Sequence, residues 1–181
     1  MKLILIGIQG SGKSTQGNLL NKKLKIPYLS TGHIFRELAK EITPLGRYIK
    51  ETMNAGYLLP DDKTLQIVAE YLSRPEYAKG YILDGFPRTV TQAETFTNGI
   101  DKVVYLEVSD KEALWRLSYR GEDGVVREDD TLRAVRKRIE LFHKFTKPVL
   151  EYYKKKRKLV TIDGEQPIKK IHKEIMEKLT K

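Results

Sequence analysis

Short apolar runs alternate with longer segments of mixed polar and apolar residues along this chain. The runs KLILI, YILD, VVYLEV and LVTID are rich in β-branched, aromatic and leucine residues and end near glycine or acidic residues. KIPYLS has a similar character. We predict strands from these runs, with KIPYLS as a fifth candidate. Their ranges are 2–6, 81–84, 103–108, 159–163 and 25–30.

The segments between the strands place apolar residues at helical spacing. Helices are predicted over 13–24, 62–74, 110–120 and 129–145. Strands that are apolar throughout need cover on both faces, and alternation with helices supplies that cover. We therefore predict an α/β fold in which a five-stranded parallel sheet has helices on both faces. Ligands of such folds lie at the carboxyl ends of the strands.

Composition narrows the class of protein. With 181 residues, 40% of them hydrophobic, the chain can form one compact domain with its own core. The absence of cysteine excludes disulfides and cysteine-based zinc sites such as a zinc ribbon. The apolar start is too short for a secretory signal or a membrane span, so we expect a cytoplasmic protein. A net charge of +10 favours polyanions, which include nucleic acid, membrane surfaces and clustered phosphates.

The segment GIQGSGKS, residues 7–14, matches the phosphate-binding pattern GxxxxGK[ST] in full. It follows a predicted strand and opens a predicted helix, which is the context that a P-loop requires. Glycines allow successive N–H groups to face a phosphate, and the helix start adds partial positive charge. We predict that Lys13 reaches the β- and γ-phosphates of a nucleoside triphosphate and that Ser14 offers its hydroxyl to Mg²⁺. The motif does not show whether water, a protein or a small molecule accepts the phosphate.

A second group of phosphate-binding side chains follows the strand YILD. Asp84 is placed to hold Mg²⁺ through its water shell, although it would also suit a turn that caps the next helix. Arg88 follows a proline, and its planar guanidinium suits two phosphate oxygens at once. Thr31 and Arg36, at a predicted helix start, form another anion-binding arrangement. Together they imply a second phosphorylated ligand beside the P-loop.

These motifs resemble the adenylate kinase family, in order and over nearly the whole chain. The resemblance rests on the P-loop, LSTG with Arg36, GYLLPD, DGFPRTVTQAE, WRLSYRGEDGVVREDDTLRAVRKR and IDGEQP. It implies the P-loop NTPase fold and a reversible, Mg²⁺-dependent reaction in which ATP and AMP become two ADP. Such an enzyme serves adenine nucleotide homeostasis and salvage. With it we expect a monomer, no zinc, and nucleotides as partners rather than nucleic acid or membrane.

The resemblance also assigns residues to both nucleotides. ATP is expected at Gly10, Ser11, Gly12, Lys13, Ser14, Thr15, Arg116, Arg120 and Gln166. AMP is expected at Thr31, Arg36, Tyr57, Leu58, Leu59, Gly85, Phe86, Pro87, Arg88, Gln92, Arg127 and Arg138. Catalytic roles are expected for Lys13, Arg88, Arg120, Arg127 and Arg138. Gln92 suits adenine, because a carboxamide donates and accepts along a base edge and related uridylate and cytidylate kinases have asparagine there.

A short, glycine-bounded turn, GEDG, separates Arg120 from Arg127 and resembles the short-lid members of the family. The predicted parts are a core of 1–29, 60–119 and 131–181, a small helical AMP-binding segment of 30–59, and a lid loop of 120–130. We predict that Arg120, Arg127 and Arg138 face phosphates instead of pairing with Glu122, Glu128, Asp129 and Asp130. For Arg133 and Arg136, pairing on a solvated helix is favoured. Gln166 suits a simple turn equally well.

Alternatives remain at this point. Another nucleoside monophosphate kinase would share the layout but use a different acceptor. A P-loop ATPase or nucleic-acid-binding module would use the basic charge along a polyanion, in a continuous external stripe. The run KKKRK, 154–158, is interpreted as the solvated end of a helix. His33 stands where the family usually has aspartate, and we interpret it as a tuning substitution and not as a catalytic base.

Overall fold

The computed structural model describes residues 1–119 and 129–180. Its strands form one parallel sheet in the spatial order β2-β3-β1-β4-β5. The strands are β1 Lys2–Ile6, β2 Tyr28–Ser30, β3 Tyr81–Asp84, β4 Lys102–Glu107 and β5 Leu159–Asp163. The predicted five-stranded parallel sheet is confirmed. The fifth candidate strand is shorter than predicted, in keeping with Pro27, which has no N–H to donate to a neighbouring strand.

Helices connect the strands and flank the sheet. They are α1 Lys13–Leu24, α2 Thr31–Leu38, α3 Pro44–Asn54, α4 Asp61–Leu72, α5 Val90–Thr95, α6 Asp110–Tyr119, α7 Leu132–Leu141, α8 Lys147–Lys155 and α9 Ile168–Leu179. A 3₁₀ turn spans Pro75–Tyr77, and a π-helical turn, Phe142–Thr146, joins α7 to α8. In the two described ranges, no helix combines the length and apolar character that a membrane crossing needs.

The strands present alternate residues to opposite faces of the sheet, and helices cover both of these faces. Leu5 and Val104 belong to one buried cluster, which also contains Leu20 of α1 and Ile175 of α9. Ile4, Leu83 and Val103 belong to the other cluster, with apolar residues from α2 to α5, α7 and α8. Both predicted layers of helices are therefore present, and residues at the carboxyl ends of β1 and β3 line one cleft.

The predicted helix over 129–145 begins later than expected. Thr131 caps α7, and its hydroxyl accepts a hydrogen bond from Ala134 N at 3.2 Å. Asp129 and Asp130 consequently lie before the helix. This shift matters for the site, because both carboxylates contact the guanidinium of Arg138.

Candidate active site

The P-loop lies at the carboxyl end of β1. Gly10 and Gly12 each have a φ of 88°, in the left-handed region that glycine adopts without strain. Helix α1 begins at Lys13, and no side chain caps its first N–H groups. The Nζ atom of Lys13 donates to the carbonyl oxygens of Gly7, at 2.7 Å, and Ile8, at 3.0 Å. The loop therefore brings together uncapped helix N–H groups and an ammonium group, which suits a polyphosphate.

Asp84 ends β3, directly beside β1, where it is paired in register with Leu5. Its Oδ2 atom accepts a hydrogen bond from the Tyr28 hydroxyl at 2.6 Å. Its Oδ1 atom is buried and has no hydrogen-bond partner among the described residues. A buried carboxylate oxygen without a partner is costly, and a hydrated cation would satisfy it.

The donor set fits Mg²⁺. Asp84 and Ser14 line the same cleft and offer a carboxylate and a hydroxyl. Mg²⁺ keeps several waters and takes few protein carboxylates, so a group of three or more acidic or histidine ligands is not required. Across the described ranges, no such group is placed to hold a metal.

The turn after β3 is built around Gly85. Its φ is 81°, and a Cβ atom there would lie 2.7 Å from Thr31 Oγ1 and 3.1 Å from Arg88 Nη2. The Thr31 hydroxyl donates to the Asp84 carbonyl at 3.1 Å, and Arg88 Nε donates to the Gly85 carbonyl at 2.7 Å. A side chain at this position would be strained and would crowd Thr31, and Arg88 lines the same cleft as the P-loop.

Positive charge is concentrated on this side of the cleft. Arg36, Arg88 and Arg138 all line it. Burial, followed by the neighbouring charge of Arg138, lowers the pKa of the Arg88 guanidinium to about 10. Arg36 lowers the same pKa further, while Asp84 and Asp129 oppose the shift. Arg36 makes no hydrogen bond or ion pair with the other described side chains. The free protein therefore holds cationic charge that an anion would compensate.

Arg138 contacts more acceptors than the sequence analysis expected. Its guanidinium donates to Asp129 Oδ2 at 2.5 Å and Asp130 Oδ1 at 3.0 Å. It also donates to Gln9 Oε1 at 3.1 Å and to the Met53 carbonyl at 2.9 Å. The expectation that Arg138 does not pair with these aspartates is therefore wrong for the free protein, because α7 starts after them. Arg138 and Asp129 both line the cleft, and the Arg138 side chain is only 15% exposed.

Gln92 lies at the far side of the same cleft and is 1% exposed. Its Oε1 atom accepts from the Arg88 backbone N–H at 2.7 Å, and its Nε2 atom donates to Asp61 Oδ1 at 2.8 Å. Asp61 belongs to the motif GYLLPD but was not among the residues predicted for the site. The contact joins residues 31 positions apart, so spacing alone carries no signal for it.

Most of the predicted nucleotide residues line one cleft. They are Gly10, Gly12, Lys13, Ser14, Arg36, Tyr57, Leu58, Leu59, Gly85, Phe86, Pro87, Arg88, Gln92 and Arg138. Ser11 and Thr31 are buried next to them, and Thr15 is exposed on α1. The sequence analysis missed other residues of the lining. Among them are Gln9, Phe35, Met53, Thr64, Asp129, Phe142 and Thr146.

Two of the residues predicted for ATP, Arg116 and Gln166, lie outside the cleft. Arg116 donates to Glu112 Oε1 at 2.6 Å and to the Gly164 carbonyl at 2.9 Å, so it holds the IDGEQP segment against α6. Gln166 Nε2 donates to the Asp163 carbonyl and to Glu174 Oε2, both at 3.3 Å. Neither residue is among those that line the cleft. Arg120 and Arg127 lie outside the described residues.

His33 and two arginines of α7 lie on the exposed surface of the protein. His33 is exposed, and its backbone N–H donates to Ser30 Oγ at 3.4 Å, which is an ordinary helix cap. Arg133 and Arg136 are also exposed. None of these three side chains lines the cleft.

A triphosphate cradle and a separate arginine-rich pocket open into one cleft, which is the layout of a P-loop kinase with a small phosphorylated acceptor. The model of the adenylate kinase family matches residues 5–158. The chain belongs to the adenylate kinase family, and it is a nucleoside monophosphate kinase.

Relatives from distant organisms support this assignment. The adenylate kinase of Caldicellulosiruptor bescii is 38% identical over 212 aligned positions, which cover 99% of each chain. That of Cyanothece sp. is 40% identical over 173 positions, covering 92% of this chain and 88% of the relative. That of Methanocella arvoryzae is 35% identical over 204 positions, covering 94% of each. The first and third alignments are longer than this chain, so those relatives contain residues that it lacks.

Replacing Gly85 tests the close approach of the turn to Thr31 and Arg88. We expect Gly85→Ala to lower the free energy of unfolding by about 2–4 kcal/mol, because the new methyl group adds a clash to backbone strain. Gly99→Ala is the matched control, since Gly99 has a φ of 66° but no atom within 4 Å of an added Cβ. Gly99→Ala should lower the free energy of unfolding by the backbone strain alone, about 1–2 kcal/mol. Urea unfolding measures both, and equal losses would contradict the proposed contact.

Proposed function

We propose that this chain transfers the γ-phosphate of ATP to AMP, reversibly and with Mg²⁺, to give two ADP. The observation that carries the proposal is that one cleft is lined by the P-loop Lys13, by Arg36 and Arg88, and by the buried Gln92. An ATPase needs only the first of these groups. A phosphorylated acceptor with a base needs all of them.

In this proposal the donor lies on the P-loop. The triphosphate takes the N–H groups of residues 10–15, and Lys13 exchanges the carbonyl oxygens of Gly7 and Ile8 for phosphate oxygens. Ser14 and Asp84 would hold Mg²⁺, partly through water. When bound, the metal ion neutralises charge on the β- and γ-phosphates.

The acceptor lies between the turn after β3 and the segment of 30–59. Arg36 and Arg88 would bind the α-phosphate of AMP, and the adenine would lie against Gln92 and the stretch Tyr57–Leu59. An oxygen of the AMP phosphate attacks the γ-phosphorus while the bond from that phosphorus to the β-phosphate oxygen breaks. No covalent enzyme intermediate is needed, so the side chains position the phosphates and offset their charge.

Arg138 would act between the two phosphate groups. In the free protein its charge is balanced by Asp129 and Asp130. Phosphates that enter the cleft offer competing acceptors, so Arg138 can turn towards them at modest cost. Arg120 and Arg127 are proposed to join it from the lid.

We propose that the segment of 30–59 and the lid of 120–130 close over the core made of 1–29, 60–119 and 131–181. Closure would expel water, which limits hydrolysis of ATP and strengthens the interactions of charges inside. ATP contacts from Arg116 and Gln166 would require the IDGEQP segment to border the nucleotide.

Further expectations follow from family membership. We propose a cytoplasmic monomer that acts on ATP, AMP and ADP without a nucleic-acid or membrane partner. The cleft supports this over a nucleic-acid module, since Arg36, Arg88 and Arg138 line one pocket together with Gln92, whereas a nucleic-acid module would use a continuous external stripe.

Arg88→Met separates function from stability. The pKa of Arg88 is lowered to about 10 in the folded state. At neutral pH the charged guanidinium therefore destabilises the folded protein relative to the unfolded chain. This destabilisation decreases as the pH rises above about 10, where the folded protein releases the proton. We expect the variant without nucleotide to unfold at an unchanged or higher temperature, while kcat/KM for AMP falls about 10³-fold. KM for ATP should change by less than about threefold.

Arg47→Met, on the exposed surface of α3, is the control for Arg88→Met and should match the parent in both assays. Transfer at the parental rate by Arg88→Met would contradict its role. A clear loss of thermal stability in Arg88→Met would contradict the explanation that the buried charge of Arg88 destabilises the free protein.

A coupled assay of ADP formation tests the reaction itself. ATP is supplied with AMP, GMP, UMP or CMP, or without an acceptor, and with Mg²⁺ or a chelator. We expect rapid turnover with AMP and Mg²⁺, at least about 10²-fold slower turnover with the pyrimidine nucleotides, and almost none without acceptor. Turnover that does not depend on the acceptor would instead support the ATPase alternative.

A further inference from the structure

Asp61 forms the centre of a small hydrogen-bond network behind the proposed adenine site. Its Oδ1 atom accepts from Gln92 Nε2 at 2.8 Å and from Thr89 Oγ1 at 3.0 Å. Thr89 in turn caps α5, where its hydroxyl accepts from Gln92 N at 3.1 Å. On its other side, Gln92 Oε1 accepts from Arg88 N at 2.7 Å. The Gln92 carboxamide is therefore held at both ends.

The chemistry of these neighbours fixes which way the carboxamide faces. A backbone N–H only donates, so the Gln92 oxygen must face Arg88. A carboxylate only accepts, so the Gln92 nitrogen must face Asp61. A rotation of the amide by 180° would place two donors together at Arg88 and two acceptors together at Asp61. Because Gln92 is 1% exposed, water is poorly placed to relieve either clash.

The fixed orientation leaves a defined pattern for a base. A carboxamide has two N–H donors and two acceptor lone pairs, and the network uses one of each. The remaining donor and acceptor match adenine, whose 6-amino group donates beside a ring nitrogen that accepts. Hypoxanthine has nearly the same shape, but it carries an oxygen, which only accepts, in place of the 6-amino group of adenine. A carboxamide free to rotate would serve the two bases more equally.

We propose that Asp61 is a positioning residue for base selection, which holds Gln92 in the orientation that favours AMP over 6-oxopurine nucleotides. This inference rests on the proposed function, in which Gln92 contacts the adenine. Asp61 acts through Gln92 and has no contact with the reacting phosphates in this role.

Asp61 also lies in the first turn of α4, where a carboxylate stabilises the helix dipole. A purely structural role would therefore affect folding but not the choice of base. Asp62 provides the matched control, because it lies in the same helical turn and is exposed. Its replacement removes the same charge from the helix start and leaves the contact with Gln92 in place.

The experiment compares Asp61→Ala, Asp61→Asn and Asp62→Ala with the parent chain. For each protein, kcat/KM is measured with AMP and with IMP at saturating ATP and Mg²⁺, together with the thermal unfolding midpoint. The ratio of the two values does not depend on the folded fraction of a preparation, so it remains informative if a variant is less stable.

We expect the AMP-to-IMP ratio to fall about tenfold or more in Asp61→Ala, mainly through a higher KM for AMP. Asp61→Asn should retain the ratio to within about threefold, because its carbonyl oxygen can still accept from Gln92 and Thr89. Asp62→Ala should keep the parental ratio, and KM for ATP should stay close to that of the parent in every variant.

A parental ratio in Asp61→Ala would overturn the inference while leaving the proposed function intact. An equal fall in Asp62→Ala or in Asp61→Asn would also overturn it, since helix charge alone would then explain the effect. If the parent chain itself does not prefer AMP to IMP, the adenine-reading role of Gln92 fails, and the inference fails with it.

Discussion

Two phosphate groups can approach each other for transfer only where fixed positive charge offsets their repulsion. In this chain that charge comes from side chains that already lie close together in the free protein. Arg36, Arg88 and Arg138 line one cleft with Lys13. The lowered pKa of Arg88 shows the cost of holding a guanidinium there without an anion. Asp129 and Asp130 reduce the cost for Arg138, and an incoming phosphate would reduce it for Arg88.

The fold makes this concentration of charge possible. Parallel strands end at one edge, so the P-loop after β1 and the turn after β3 are neighbours although some seventy residues separate them in the chain. Gly85 then brings Thr31, Asp84 and Arg88 within hydrogen-bond distance of one turn. The apolar clusters on both faces keep the strands, and hence these turns, in fixed positions.

Local patterns predicted the sheet, the P-loop and the turn after β3, and the resemblance to the adenylate kinase family assigned most of the other residues that line the cleft. These features depend on short segments, such as GIQGSGKS and DGFPR, whose residue types dictate both backbone and chemistry. The contacts of Arg138 with Asp129 and Asp130 depend instead on where α7 starts, which the Thr131 cap decides. The contact of Asp61 with Gln92 depends on tertiary packing of α4 against α5, and no periodic pattern in the sequence predicts it. Sequence reasoning thus found residues that line the cleft more readily than the residues that hold them in place.

The proposed function requires one cleft to bind two nucleotides end to end. A calorimetric titration with a bisubstrate mimic, in which two adenosines are joined by five phosphates, tests this arrangement directly. We expect one molecule of the mimic bound per chain, and competition by the mimic against both ATP and AMP. Binding of two molecules per chain, or competition against ATP alone, would contradict it.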